Sequence, residues 1–383
     1  MKLIIGFIPL LDCASLVVAA ERGFAADEGL DLTLVRETSW ANIRDRIVVG
    51  HFDAAHMLGP MTIASTLGIG HVKVPMIAPF SLGLGGNAIT VSLPLWEQMT
   101  REGAASGSYP GAQGAALKRV VVARERAGLE PLTFGMVYPF SCHNYELRYW
   151  LAAAGIDPDR DVRLVVIPPP FLVDAMRAGQ IDGFCVGEPW NSVAVDVGVG
   201  AIVAPTTAIW PLSPEKVLGC RAKWAERYPE QLAALLRALH RASLWSEHTE
   251  NHAELARMLS EPRYVGASAE LLHRTLANRL ALLPGVQPSF LPDFQVSARH
   301  SATFPWVSHA LWFYAQMVRW RQIEFSTDHI SIVRATYRPD LYRTALASLD
   351  AGIPSSDTKV ERFFDDRTFD PADLRAYLAS GRL

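Results

Sequence analysis

Apolar positions over the first 60 residues switch repeatedly between a period of two and a period near 3.6, which predicts strands alternating with helices. Residues 3–8 read as a strand, 14–21 as a helix ending near Gly23, and 30–36 as a second strand. A second helix follows over 41–49 and a short buried strand over 53–57. Such alternation predicts an α/β class, a parallel sheet with helices on both faces. The pattern then returns. Adding 129 carries Gly6 to Gly135, Cys13 to Cys142, Gly50 to Gly179, Asp53 to Asp182 and Pro60 to Pro189. So few identities lie within chance, but each falls at the same landmark of the strand–helix order. Two doubly wound lobes of one topology are the natural reading.

Between the lobes, residues 95–101 read as a helix. Residues 103–114, rich in Gly, Ser and Ala, read as a surface loop or lid. After Trp210 the stretches 229–247, 253–259, 269–280 and 307–319 read as amphipathic helices expected to pack back on the first lobe. Residues 1–90 with 206–383 then form lobe I, and 91–205 form lobe II. The chain crosses near Thr90-Val91 and near Ala204-Pro205, and two crossings make a hinge. Ligands bind such sheets outside the carboxyl ends of the strands, so the strand-end loops of both lobes would face one cleft.

Composition narrows the function. The chain has 383 residues, half of them hydrophobic and a fifth charged, as expected of a globular protein with a large core. A net charge of −3 gives no argument for nucleic acid or an anionic membrane, and no apolar run of about 20 residues predicts a span. Residues 1–9 carry one lysine and a short apolar run broken at Pro9, read as the first strand rather than a secretory signal. Cys13, Cys142, Cys185 and Cys220 have no metal-binding spacing and read as reduced, mostly buried thiols. Together these features point to the cytoplasm. No dinucleotide fingerprint or cluster motif implies a cofactor.

Three spots carry candidate chemistry: Lys216 within Ser213-Pro214-Glu215-Lys216-Val217-Leu218-Gly219, the strand-to-helix turn Ser141-Cys142-His143-Asn144, and the strand end Gly187-Glu188-Pro189-Trp190. Taken alone, a lysine after a loop such as Lys216 reads as a solvated charge. His143 begins a helix over 144–153 with Ser141 as its N-cap, a place that favours anions. Trp40 follows Ser39 at the start of the second helix, and Asn87 follows two glycines that let the backbone approach closely. A cation, a ring N–H and amide donors suit a small oxyanion. An enzyme built on Cys142, His143 and Glu188 needs an oriented third partner, and adjacent helical side chains diverge by about 100°.

Residues 147–158 (LRYWLAAAGIDP), 166–170 (VIPPP), 182–190 (DGFCVGEPW) and 308–313 (SHALWF) resemble the nitrate- and bicarbonate-binding family of ABC-transporter solute receptors. The resemblance implies a type II periplasmic-binding-protein fold and a small planar oxyanion as ligand. Because the chain begins at the first strand, it looks most like the cytoplasmic branch, the nitrate/nitrite sensor of bacterial nitrate assimilation. That resemblance implies a response-regulator antiterminator as partner, sequestered without nitrate. An exported transport receptor is the alternative.

The resemblance also implies ligand-binding roles for Trp40, Asn87, His143, Gly187 and Lys216. Lysine at 216, where bicarbonate relatives carry an acid, implies a monoanion held by a cation in a dry cleft. Val186 can offer backbone contacts, and Glu188 can pair with Lys216 or orient His143. Trp190 and Trp210 read as wall and core. Lys216→Glu is expected to abolish nitrate binding with the fold intact.

Overall fold

The computed structural model describes residues 1–70, 72–349 and 352–380. Its two principal sheets are built from β1 (Lys2–Phe7), β2 (Asp31–Arg36), β3 (Ala54–Leu58), β4 (Met76–Ser81), β5 (Asn87–Ser92), β6 (Thr133–Met136), β7 (Arg163–Val166), β8 (Gly183–Gly187), β9 (Gly200–Pro205) and β10 (Lys216–Arg221). The first sheet has the order β2-β1-β3-β10-β4 and the second β9-β5-β8-β6-β7. The chain leaves the first sheet after β4 and returns to it between β9 and β10.

Each sheet is mixed rather than wholly parallel. β10 runs antiparallel to β3 and β4, and β5 antiparallel to β8 and β9. The reason is the entry point. Lys216, first in β10, pairs with Leu58, last in β3; Asn87, first in β5, pairs with Gly187, last in β8. Each strand that follows a passage between sheets enters where the parallel strands finish, so it runs back against them.

The internal repeat has a structural counterpart. Ile5 pairs with Ala54 and Gly6 with Ala55 in the first sheet; Phe134 pairs with Gly183 and Gly135 with Phe184 in the second. Every one of these residues is displaced from its counterpart by 129. Asp53 Oδ2 accepts from the Ile4 amide at 2.9 Å, and Asp182 Oδ2 accepts from the Thr133 amide at 2.8 Å. A carboxylate before the third strand thus ties that strand to the first in both lobes. The same offset takes Leu58 to Gly187 and Asn87 to Lys216, so two candidate site residues occupy corresponding strand starts.

Helix α1 (Ala14–Glu21) packs on the long helix that follows β10. Helix α2 (Trp40–Val48) is capped by Ser39 Oγ, which accepts from the Asn42 amide at 3.2 Å. Helix α3 (Cys142–Ala153) is capped by Ser141 Oγ, which accepts from the Asn144 amide at 3.0 Å. Each cap satisfies an otherwise orphaned donor, worth about 1 kcal/mol. The helix packed on α1 is α4 (Pro229–Glu247), and α5 (Val307–Arg319) and α6 (Leu374–Ser380) follow.

Three sequence expectations change. The soft stretch 103–114 is a loop only as far as Tyr109, because Pro110 opens a helix reaching Arg126; proline at the first helical position is preorganised for it. The helix predicted over 269–280 ends at Leu276. Asn278 takes a left-handed φ of 55°, a conformation asparagine tolerates and helices do not, and Arg279–Leu280 pair instead with Ser289–Phe290.

The tail also reaches both lobes rather than the first alone. Phe363 lies 5.0 Å from Trp210, 5.8 Å from Trp312 in α5 and 4.9 Å from Tyr149 in α3 (ring centroids). Tyr149 Oη donates to Asp365 at 2.8 Å. Such aromatic pairs add about 0.5–1.5 kcal/mol each beyond buried area. Among the described residues no helix is long and apolar enough to cross a membrane.

Candidate functional site

Lys216 is fully buried. Its Nζ lies 2.8 Å from Asp12 Oδ2, 3.4 Å from His143 Nε2 and 5.8 Å from the centre of the Trp40 ring, and it contacts Glu215 Oε2. The structure therefore brings together the lysine, the imidazole and the indole singled out in the sequence, from β10, the first turn of α3 and the first turn of α2. It also supplies what the sequence reading did not include: two carboxylates already hold the ammonium. Lys216 is not a free cation awaiting an anion.

Asp12 sits in the turn Leu11–Cys13, and its Oδ1 lies 2.9 Å from His56 Nε2. His56 Nδ1 accepts from the Ile8 amide at 3.3 Å, so the neutral ring carries its proton on Nε2, the nitrogen that faces Asp12. Burial would raise the Asp12 carboxyl, but Lys216 and His56 hold it well below the usual range. Burial lowers His56 despite Asp12. Burial, reinforced by Lys216, holds His143 well below its ordinary value, so its ring is neutral at pH 7.

Asn87 Nδ2 donates to Glu146 Oε2 at 3.0 Å and also meets Glu215 Oε1. Its amide donors are thus engaged by carboxylates, and its Oδ1 is buried without a partner. Gly187 faces the same cluster: a Cβ there would stand 3.2 Å from Asn87 Oδ1 and 3.7 Å from Asp12 Oδ2. Glycine keeps these side chains close together.

One supporting assignment is corrected. Glu188 neither pairs with Lys216 nor orients His143. Its amide donates to Gly86 O and its carbonyl accepts from the Leu11 amide, both at 2.8 Å. Its carboxylate lies in the next helix turn, where Oε2 accepts from the Ser192 amide at 3.2 Å. The Val186 carbonyl is likewise occupied, accepting from Asn191 Nδ2 at 2.8 Å. Ser141 caps α3 and donates to Tyr138 O at 2.7 Å. Trp210 Nε1 donates to Glu361 Oε2 at 3.0 Å, and Trp190 Nε1 donates to Pro9 O at 3.2 Å.

Cys142 Sγ approaches His143 Nδ1 at 3.8 Å, closer than divergent neighbours on a helix imply. It still forms no nucleophilic dyad. Sγ donates to Glu215 Oε1 at 2.9 Å, and burial pushes the thiol far above its ordinary value, so no thiolate forms near neutrality. Cys142, His143 and Glu215 place ligand atoms within 4.8 Å of one another. A divalent ion does not fit beside them, because the Lys216 ammonium, in contact with Glu215 and 3.4 Å from His143 Nε2, already supplies the cluster's cation.

One donor remains. Trp40 is fully buried, its ring edge-on to His56 at 5.3 Å, and its Nε1 has no partner. An unsatisfied buried donor costs about 1–3 kcal/mol, so the indole N–H invites an acceptor. Asp12, His56, Glu146 and Glu215 were missed in the sequence. Glu146 alone had a local signal, since it follows His143 by three and shares its helix face.

Residues 1–260 match the NMT1-like family. The chain belongs to this family. The crystal structure of the periplasmic nitrate-binding protein NrtA from Synechocystis superposes on this NMT1-like chain with a TM-score of 0.92 at 31% identity, covering 100% of this chain and 98% of that one. The nitrate/nitrite binding protein NrtA of Synechococcus elongatus is 35% identical over 98% of this chain and 84% of its own length. The nitrate import ATP-binding protein NrtC of Synechocystis is 37% identical over 99% of this chain, which spans only 55% of NrtC. Bicarbonate-transport proteins are also among the relatives. The fold is the two-lobed α/β periplasmic-binding-protein fold, and the relatives' names are those of binding and transport proteins.

Proposed function

We propose that this NMT1-like protein binds nitrate or nitrite between its two sheets, as the solute receptor of a nitrate transporter. The observation that carries the reading is the unpartnered indole N–H of Trp40 beside the Lys216–His143 pair, in a chain related to nitrate-binding proteins along its length. A planar monoanion there accepts from the ammonium and the indole. It competes with Glu215 for Lys216, while Asn87 and Cys142 hold the displaced carboxylate. The sensor reading, with its antiterminator partner and cytoplasmic setting, draws no support from these relatives.

Calorimetry with nitrate, nitrite, bicarbonate and sulfate tests the proposal. Nitrate or nitrite is expected to bind with micromolar affinity, about −8 kcal/mol. Tight bicarbonate or sulfate with silent nitrate and nitrite overturns it. Trp40→Phe keeps an aromatic ring but loses the donor. Its nitrate affinity is expected to fall about tenfold, or about 1.4 kcal/mol; unchanged affinity means the indole N–H does not face the anion.

A further inference from the structure

A cavity of about 1020 Å³ lies outside the nitrate cleft. Its walls come from the loop after α3 (Gly155, Asp157, Arg160), the C-terminal end of α5 and the residues after it (Arg319, Trp320, Arg321, Phe325), and α6 (Arg375, Leu378). Helix α3 has 12 residues and places His143 at one end and this cavity beyond the other, about 18 Å apart at 1.5 Å per residue.

Four guanidinium groups line one cavity in a protein whose net charge is −3. Among the described residues, the guanidinium groups of Arg319, Arg321 and Arg375 have neither a carboxylate partner nor a hydrogen bond, and Arg319 Nε is buried without one. The carboxylate near Arg319, Asp365, is already engaged: Oδ1 accepts from Tyr149 Oη at 2.8 Å, and Oδ2 lies 3.6 Å from Arg367 Nε. Arg319 instead stacks on Trp320 at 4.8 Å and Tyr149 at 5.5 Å, and Arg375 stacks on Phe325 at 5.1 Å. The rings hold these guanidinium planes while leaving their N–H edges available.

Opposing charge does not cancel the set. Asp157 lines the cavity, and Asp161 pairs with Arg160 at 2.9 Å. The C-terminal ends of α3 and α5 add about half a negative charge each. Against four arginines the balance stays positive.

We propose that this cavity is a second ligand site, for a multiply charged phosphate compound such as an inorganic pyrophosphate or a nucleoside diphosphate. Arginine forks match phosphate oxygens in pairs, and the volume exceeds what a single phosphate fills. Because the walls come from both halves of the molecule, the bound polyanion bridges them. The proposal does not depend on the nitrate reading.

The test is calorimetry of the full chain with phosphate, pyrophosphate and ADP at physiological salt, for the wild-type protein and for Arg321→Gln and Arg375→Gln. Pyrophosphate and ADP are expected to bind at least about tenfold more tightly than phosphate. Each variant is expected to weaken them by about tenfold while leaving nitrate affinity unchanged. Equal affinity for ADP and pyrophosphate assigns recognition to the phosphates, and tighter ADP adds its rings. No binding at millimolar concentration, phosphate binding as well as pyrophosphate, or variants indistinguishable from wild type overturns the proposal.

Discussion

Lys216→Met is expected to weaken nitrate binding by at least about a hundredfold, close to 3 kcal/mol, and to destabilise the fold by about 3–5 kcal/mol. The first effect is the loss of a charge-assisted donor, worth about 1.5–3 kcal/mol, together with the cation proposed to meet the anion. The second follows from burial. Lys216 and Glu215 are both almost wholly buried, and Asp12 Oδ2 lies 2.8 Å from Nζ. Removing the ammonium strands two carboxylates in a low-dielectric interior. Methionine matches the length of the stem, so the loss is of charge rather than packing.

The structure also revises the expected result for Lys216→Glu, because that variant places a third carboxylate among Asp12 and Glu215 and is not expected to keep its fold at pH 7. Calorimetry and urea unfolding check the methionine variant. In it burial without the ammonium disfavours the charged carboxylates, so protonation relieves the penalty. Its deficit is therefore expected to shrink as pH falls toward 5. Wild-type nitrate affinity, or a deficit independent of pH, rules out the central role of Lys216.

Glu146→Gln is expected to lose less stability than the wild-type protein as pH rises from 4.5 to about 7. Glu146 is buried at 2% exposure in α3, Oε2 accepts from Asn87, and Oε1 has no partner. Burial pushes its carboxyl up to about 7, against the hydrogen bond from Asn87 and the charge of Lys216. The folded value lies above the unfolded one of 4.5, so the contribution is complete below 4.5 and is lost as pH rises through about 7. A rise from 4.5 to about 7 is worth about 3 kcal/mol at most.

Glu188 behaves alike, with burial pushing it to about 7. The lowered histidines His56 and His143 act with the opposite sign. Their contribution is present above their unfolded value of 6.5 and is lost as pH falls below it, and it is common to wild type and variant, so it cancels in the comparison. Urea unfolding at both pH values measures the effect; equal losses in wild type and Glu146→Gln show that Glu146 is ionised without penalty throughout.

The sequence by itself determined the strand–helix order, the two-lobe repeat and the family, because these rest on local periodicity, on the 129-residue offset and on motifs that are contiguous in the chain. It also picked out Lys216, His143 and Trp40, each at the first residue or first turn of an element, where such sheets gather their ligands. Tertiary structure alone decided the charge state of the cleft. Asp12, Glu215 and Glu146 come from a turn, a strand start and a helix 204, 1 and 70 residues from Lys216 in the numbering. No periodicity records which carboxylate reaches an ammonium. Glu188 had the better local claim and lost it because its backbone is hydrogen-bonded to Gly86 and Leu11 and its side chain lies in the following helix turn. A buried charge is compensated by whichever group the folded backbone brings within about 3–4 Å, and that distance exists only once the two sheets have come together.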